Sequence, residues 1–265
     1  MNDAGTGSLE AISFMDVSYG SHPLQTYDLY LPEGRSMDKT KTIMLVHGGG
    51  WTGGDKEDMD SFVGTIQLLH PDHAIVNINY VLSNITTPAF PNQFLDIDAV
   101  IEKLNSELEE LQITNEFGMI GTSAGAHLAL MYDSIYDLDD QVKFVANIVG
   151  PTDFTDPFYA EDPNFNFAFS FLVDENTYPE NAVEAVSPVY NVNGNTSPVV
   201  MFYGNQDPLV PLTNGTSMET ALNEGLVSYG FSVYEGGHGD DWSDADYANL
   251  QQQINNYIEQ YLPID

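Results

Sequence analysis

Hydrophobic and polar positions follow two rhythms along this chain. Nearly unbroken apolar runs cover Thr42 to Val46, Ala74 to Asn79, Phe117 to Ile120, Lys143 to Val149 and Pro198 to Tyr203. Runs this short and continuous are the pattern of strands buried on both faces of a sheet. Between them the spacing becomes helical: from 90 to 111, apolar residues recur at Phe94, Ile97, Val100, Ile101, Leu104, Leu108 and Leu111, with acidic residues on the opposite face. Asp55 is placed to cap a helix running to about Leu69, with Glu57 and Asp58 in its first turn. Further helices are predicted over about 213–224 and 243–261, with a strand over 226–234 between them. Nearer the start, Ile12 to Tyr19 and Leu24 to Leu31 are strand-like, separated by polar turns, and are expected to form an antiparallel pair at a sheet edge. From residue 42 onward strands and helices alternate, which predicts a mainly parallel sheet covered on both faces.

Residues 150–190 break this rhythm. They are rich in proline, aspartate and asparagine, and carry Phe154, Phe158, Tyr159, Phe165, Phe167, Phe169, Phe171 and Tyr178. An insertion here falls near the carboxyl ends of the strands, where open α/β sheets bind ligands. Its aromatics either pack a small core of their own or wall a lid or pocket. Trp51, Tyr80, Phe154 and Phe158 are the candidate pocket residues.

Composition narrows the classes. The chain is long enough for one sizeable α/β domain, expected over 11–265 behind a flexible tail of residues 1–10. It carries 40 acidic and 6 basic residues, a net charge of −34, with no Lys or Arg after Lys143. Phosphate neutralisation needs cations, so a nucleic-acid partner is excluded. Such a charge reads either as a well-hydrated surface or as adaptation to high salt, where counterions screen the self-repulsion. There are no cysteines, hence no disulfides and no thiolate chemistry. No apolar run approaches transmembrane length and no signal peptide is visible. The polar stretch 1–8 reads as a tether standing where a targeting segment has been replaced, so a secreted or periplasmic compartment is one expectation. Three N-x-[ST] matches, at Asn84, Asn195 and Asn214, carry no function here.

Three stretches carry chemistry. Gly121-Thr122-Ser123-Ala124-Gly125 lies between a strand and a run of helix formers. A serine on such a tight turn stands clear at a helix start, where free N–H groups favour developing negative charge. His47-Gly48-Gly49-Gly50-Trp51 follows a buried strand, and glycines let backbone N–H groups approach a substrate carbonyl closely. The oxyanion hole is therefore assigned to the N–H groups of Ala124 and of Gly49 or Gly50, with His47 bracing its loop. Asp207 follows a late strand, and His238 lies on the glycine-flanked loop after the last one. The order Ser123, Asp207, His238 is that of a hydrolase triad, with His238 as base and Asp207 orienting it. His127, one helical turn beyond Ser123, is a competitor for the base, but its position predicts a structural side chain packed beneath the turn. No metal or other cofactor is expected, because no cluster of ligands has metal spacing.

His47 to Trp51, Gly121 to Leu130, Gly204 to Pro211 and the final Gly-His-Gly together resemble the hormone-sensitive-lipase-like α/β-hydrolases, and among them bacterial carboxylesterases of the feruloyl/acetyl-xylan esterase type. The resemblance runs from about residue 10 to the C-terminus. It implies the α/β-hydrolase fold with a short cap near 150–190, and a serine esterase acting on short-chain acyl or aryl esters, feruloyl and acetyl esters of plant polysaccharide among them. The partner implied is a small-molecule or polysaccharide-linked ester. Arylformamidases share a similar H-G-G-x-W loop and S-A-G-A-H turn, so amide hydrolysis is the runner-up. A non-catalytic ligand-binding protein of the same fold is the reading from another class.

Overall fold

The computed structural model describes residues 9–264. The expectations for the stretch 1–8 lie outside the described residues. Eight strands form one sheet in the order β1-β2-β4-β3-β5-β6-β7-β8: β1 (Ile12–Ser18), β2 (Thr26–Leu31), β3 (Thr42–Val46), β4 (Ala74–Ile78), β5 (Phe117–Thr122), β6 (Val142–Ile148), β7 (Val199–Gly204) and β8 (Tyr229–Tyr234). β2 pairs antiparallel with both β1 and β4, and the strands from β4 to β8 pair in parallel. The antiparallel edge pair read from the sequence is present. β2 shows little alternation because it lies inside the sheet, with most of its residues buried.

Helices cover both faces. α2 (Asn92–Ser106), α3 (Leu108–Leu111), α4 (Ala124–Met131) and α8 (Leu212–Glu224) bring Phe94, Ile97, Val100, Leu128, Met218 and Leu222 into one core. α1 (Asp60–Leu69) and α9 (Asp244–Tyr261) bring Val63, Ile66, Leu250, Ile254 and Ile258 into the other. Asp55 caps through a reciprocal capping box, but the element it starts is a 3-10 turn, Lys56–Met59, that runs on into α1. The helix expected over 90–111 is divided. Pro91 precedes its first residue, since the position before a proline disfavours helix, and Glu107 closes its end with an N–H to the Leu104 carbonyl. β8 begins at Tyr229, later than the hydrophobic run at 226 suggests. Leu226 takes a left-handed conformation in the turn after α8, and Val227 N–H closes that turn onto Leu222.

Residues 150–190 form α5 (Pro157–Ala160), α6 (Pro163–Leu172), α7 (Ala182–Ala185) and a 3-10 turn, Pro188–Tyr190. Asp156 and Asp162 cap α5 and α6, each followed by a proline at the first helical position. The insertion is fastened to the body by backbone hydrogen bonds from Phe90 to Leu172 and from Asp174 to Phe90. Two N–H groups, of Thr152 and Asp153, donate to the side-chain oxygen of buried Asn214. Asn214, one of the three N-x-[ST] matches, is therefore a packing residue.

Candidate active site

β3, β5, β7 and β8 run parallel and in register, so the loops leaving their carboxyl ends meet along one edge of the sheet. His47 follows β3 directly, Ser123 follows β5, Asp207 lies three residues past β7, and His238 four past β8. These four loops build the site.

Ser123 has φ 50° and ψ −119°, a conformation that L-residues rarely adopt. The turn survives because its surroundings over-determine it. Ser123 N–H donates to the Ile148 carbonyl at 2.7 Å, and its own carbonyl accepts from Ala126 and His127. Gly125 is obligatory: a Cβ there would stand 2.1 Å from the Val46 carbonyl oxygen and 2.4 Å from that of His47. The close approach locks the β3 loop against the serine turn.

From this position Ser123 Oγ lies 2.9 Å from His238 Nε2, and His238 Nδ1 lies 2.6 Å from Asp207 Oδ2. The Asp207 side chain is wholly enclosed, and its other oxygen accepts the N–H groups of Leu209 and Val210 at 2.8 and 3.0 Å. A carboxylate accepts at Nδ1, so Nδ1 carries the proton and Nε2 presents its lone pair to the serine hydroxyl. The three residues named from chain order are thus joined in one hydrogen-bonded chain.

The loop carrying His238 is braced by residues that carried no signal in a motif. Asp241 accepts the Gly237 N–H at 2.7 Å, Trp242 Nε1 donates to the Gly237 carbonyl at 3.2 Å, and Tyr247 donates to that of Gly239 at 2.8 Å. Their sequence signal is their closeness: all three follow His238 within nine residues.

In the H-G-G-G-W loop, Gly49 and Gly50 both have positive φ. Among the described residues no acceptor takes the N–H groups of Gly49, Gly50 or Ala124, the first residue of α4. A Cβ on Gly48 would stand 3.2 Å from that of Ser123, so the two backbones converge on the serine. His47 is buried, stacks on Tyr80 with ring centroids 4.3 Å apart, and its Nδ1 contacts the Gly48 carbonyl at 2.6 Å. Burial holds its pKa below the ordinary histidine value, which favours the neutral ring.

Two of the four candidate pocket residues stand elsewhere than the sequence reading placed them. Tyr80 is fully buried, and its hydroxyl donates to the His47 carbonyl at 2.9 Å. Burial raises its pKa, and the ring stacks on His47 and braces the glycine loop from behind. Phe154 is also buried, packed against Trp51, His127, Phe165 and Phe169 where the insertion meets the body. The apolar side chain is drawn into this joint because the insertion has no other core to fill. Trp51 does line a cavity, of about 460 Å³, with Gly50, Ile85, Phe167, Phe171 and Leu172. Phe158 is exposed on α5, its ring edge-on to Tyr159.

His127 is buried beneath the serine turn. Its Nε2 donates to the Val186 carbonyl at 2.8 Å, and its Nδ1 accepts from Trp51 Nε1 at 3.3 Å. Burial lowers its pKa to about 4. Both ring nitrogens are occupied and the ring is neutral, so it ties the glycine loop to the insertion. Gln93, unmarked in the sequence, adds to that tie: its buried amide donates to the carbonyls of Trp51 and Val81 at 2.8 and 2.9 Å.

The fold recurs among solved structures. A truncated carbohydrate esterase from gut microbiota superposes with a TM-score of 0.77 at 19% identity, over 96% of this chain and 97% of the other. A carboxylesterase from Lactobacillus plantarum superposes with a TM-score of 0.78 at 14% identity, over 97% and 99%. At these identities the likeness shows a common fold, that of the α/β-hydrolases. In sequence, 137 residues are 27% identical to a kynurenine formamidase of Danio rerio, a match over 49% of this chain that spans less than half (43%) of the relative's length. The family model named BD-FAE matches residues 27–222, about three quarters of the chain and a span that holds the glycine loop, the serine turn and Asp207. The chain therefore belongs to the BD-FAE family of α/β-hydrolases.

Proposed function

We propose that this protein is a serine carboxylesterase that works through Ser123, His238 and Asp207 and an acyl-enzyme. The observation that carries the reading is the continuous hydrogen-bonded chain from Ser123 Oγ through His238 to the enclosed Asp207. A serine hydroxyl is a poor nucleophile until a base takes its proton, and His238 Nε2 is within reach to do so. As Oγ attacks the ester carbonyl, negative charge grows on the carbonyl oxygen. The uncommitted N–H groups of Ala124 and of Gly49 or Gly50 are the donors offered to it. His238 then protonates the leaving alcohol, and water, activated by the same imidazole, releases the acid. Asp207 holds the imidazole in the required tautomer and stabilises its cation.

Short-chain acyl and aryl esters, including acetyl and feruloyl esters linked to polysaccharide, are the substrate classes in this proposal. Solved neighbours named as a carbohydrate esterase and, from Caldicellulosiruptor lactoaceticus, as an acetyl ester-xyloside bifunctional hydrolase support it. The test is intact-protein mass spectrometry after a fluorophosphonate: one adduct on the wild type, none on Ser123→Ala, followed by an ester panel from acetyl through butyryl to feruloyl. A folded wild type that takes no adduct overturns the reading. The formamidase match favours one second reading, hydrolysis of an aryl formamide at the same serine. Comparing kcat/KM for N-formylkynurenine and p-nitrophenyl acetate decides between them. For the −34 charge we propose salt adaptation, tested by melting against NaCl; a Tm unmoved by salt removes it.

A further inference from the structure

Charge is divided unevenly between the two edges of the sheet. Five of the six Lys and Arg residues stand at the edge opposite the triad or on segments that lead into it. Lys39 and Lys41 just precede β3, Lys143 lies at the start of β6, Lys103 is in the last turn of α2, and Arg35 donates to the Leu111 carbonyl ahead of β5. The loops at the carboxyl ends of the strands are acidic instead. After β3 come Asp55, Glu57, Asp58 and Asp60; the insertion 150–190 holds eight acidic residues and no Lys or Arg; and residues 235–246 hold five more on either side of His238. With Asp207 and Lys56 included, these loops carry half of the net charge of −34.

The carboxylates stand near the reacting groups. Asp55 and Asp58 act on the His47 ring at the root of the glycine loop. Asp153, Asp156 and Asp207 all act on the Tyr159 hydroxyl, and exposed Asp240 is two residues from His238. Among the described residues the one Lys or Arg on this edge is Lys56, and it is withheld from any ligand. Its side chain is 7% exposed, and Asp16 and Asp28 each bind its ammonium at 3.0 Å. Asn79 and Asn77 hold its backbone N–H and carbonyl, so the group is fixed facing inward.

From this we infer that the acidic loops select substrates by charge at the serine: neutral and cationic esters are admitted, and esters that carry a carboxylate, sulfate or phosphate near the scissile bond are turned away. The inference rests on the esterase reading above. The acidic loops form no ligand site of their own; they set the potential through which a substrate reaches Ser123. Carboxylates are ionised at neutral pH, and charges of one sign gathered around a cleft give potentials of several kT that change encounter with charged ligands by about 10 to 10³. An anionic substrate meets this potential with no ammonium or guanidinium to pair with, because the charge of Lys56 is already compensated. The reaction adds a consequence. When water adds to the acyl carbon and Ser123 Oγ regains its proton, the acid that leaves gives its own proton to solvent. The carboxylate so formed is repelled from the face that made it.

The test compares esters matched in shape and differing in charge: acetylcholine with its uncharged dimethylbutyl isostere, and p-nitrophenyl hemisuccinate with p-nitrophenyl isohexanoate. Taking kcat/KM as a ratio within each pair cancels any effect of salt on the fold or the chemistry. NaCl is raised from about 10 mM, where charge is felt over about 30 Å, to about 1 M, where the range is about 3 Å. The cation-to-neutral ratio is expected to fall about tenfold and the anion-to-neutral ratio to rise about tenfold. At about 0.1 M NaCl, where the range is about 10 Å, Glu57→Lys with Asp240→Lys should cut both preferences at least threefold. Glu109→Lys with Glu110→Lys makes the same change in net charge at exposed positions of α3, ahead of β5, and should leave the ratios as in the wild type. Ratios that ignore salt, ratios of the opposite sign, or a remote pair as effective as the loop pair overturn the inference. A folded wild type that hydrolyses none of the four esters and takes no fluorophosphonate adduct removes the esterase reading, and this inference with it.

Discussion

The serine turn and the 150–190 insertion are neighbours built on opposite terms. Around Ser123 nearly every group has an assigned partner: strained φ, a glycine pressed against the Val46 carbonyl, a serine bonded to a histidine, a histidine bonded to an enclosed carboxylate. In the insertion the contacts are aromatic and redundant. Phe154, Phe165 and Phe169 pack among themselves, while Phe167 and Phe171 leave much of their surface exposed. The first arrangement ties each reacting group to a named partner, as the proposed proton transfer requires. The second offers apolar surface whose shape can vary without loss of fold. In the proposed reaction the chemistry thus falls to the region with the lower tolerance to change.

The sharpest way to break this contrast is at the serine. Ser123→Ala and His238→Ala are expected to lower kcat by about five to six orders of magnitude, with the Tm nearly unchanged, and Asp207→Asn by about four. Circular dichroism alongside the kinetics separates lost chemistry from lost fold. Should His127→Phe prove as damaging to kcat as His238→Ala in a folded protein, the base would be misassigned.

Gly125→Ala probes the packing that supports the serine. With a Cβ 2.1 Å from a backbone oxygen, β3 or α4 has to move, and a loss of about 3 kcal/mol or more is expected in urea unfolding. A variant as stable as the wild type would show that the loop and the turn are not locked together.

Protonation gives a smaller effect with a defined sign. His127 titrates near 4 when folded and near 6.5 when unfolded, so the unfolded chain binds the extra proton first. Its contribution is complete above pH 6.5 and is lost as the pH falls towards 4, by at most about 3 kcal/mol. The Tm advantage of the wild type over His127→Phe should shrink across that window. Asp133 acts oppositely. Burial raises its pKa to about 7, against about 3.9 in the unfolded chain, so stability is lost as the pH rises from about 4 to about 7 and is level above that. Asp133→Asn should therefore gain on the wild type between about pH 4 and 7 and keep that gain at higher pH.

The smallest effect belongs to the insertion. Phe167→Ala is expected to leave the Tm within about a degree, since an exposed ring contributes little to stability. A large loss of stability would mean that the insertion is as constrained as the serine turn.

How much of this was legible along the chain differs by residue. Ser123, Asp207 and His238 could be named from their places after strands, because a parallel sheet delivers all its carboxyl ends to one edge. Glycines at 49 and 125 were legible too, since a backbone packed against backbone admits no Cβ. The supporting shell was not. Gln93, Asp241 and Trp242 are ordinary residue types whose importance lies in which carbonyl or N–H they meet, often across long sequence separations. The same blindness misplaced Tyr80 and Phe154 as pocket residues: an aromatic near a site looks the same in sequence whether it faces a cavity or braces a loop.

By itself, then, the sequence determined the alternation of buried strands and amphipathic helices, the turn chemistry and the places of Ser123, Asp207 and His238 after their strands. These are local, because periodicity and backbone permissiveness act over a few positions. Tertiary structure alone decided which aromatics were sealed and which lined space, that His127 bonds to Val186 and Trp51 with its pKa lowered by burial, and that two cavities of different polarity lie beside His238 and the glycine loop. Those properties depend on what segments distant in sequence bring to the same point, and burial exists only once the chain has closed on itself.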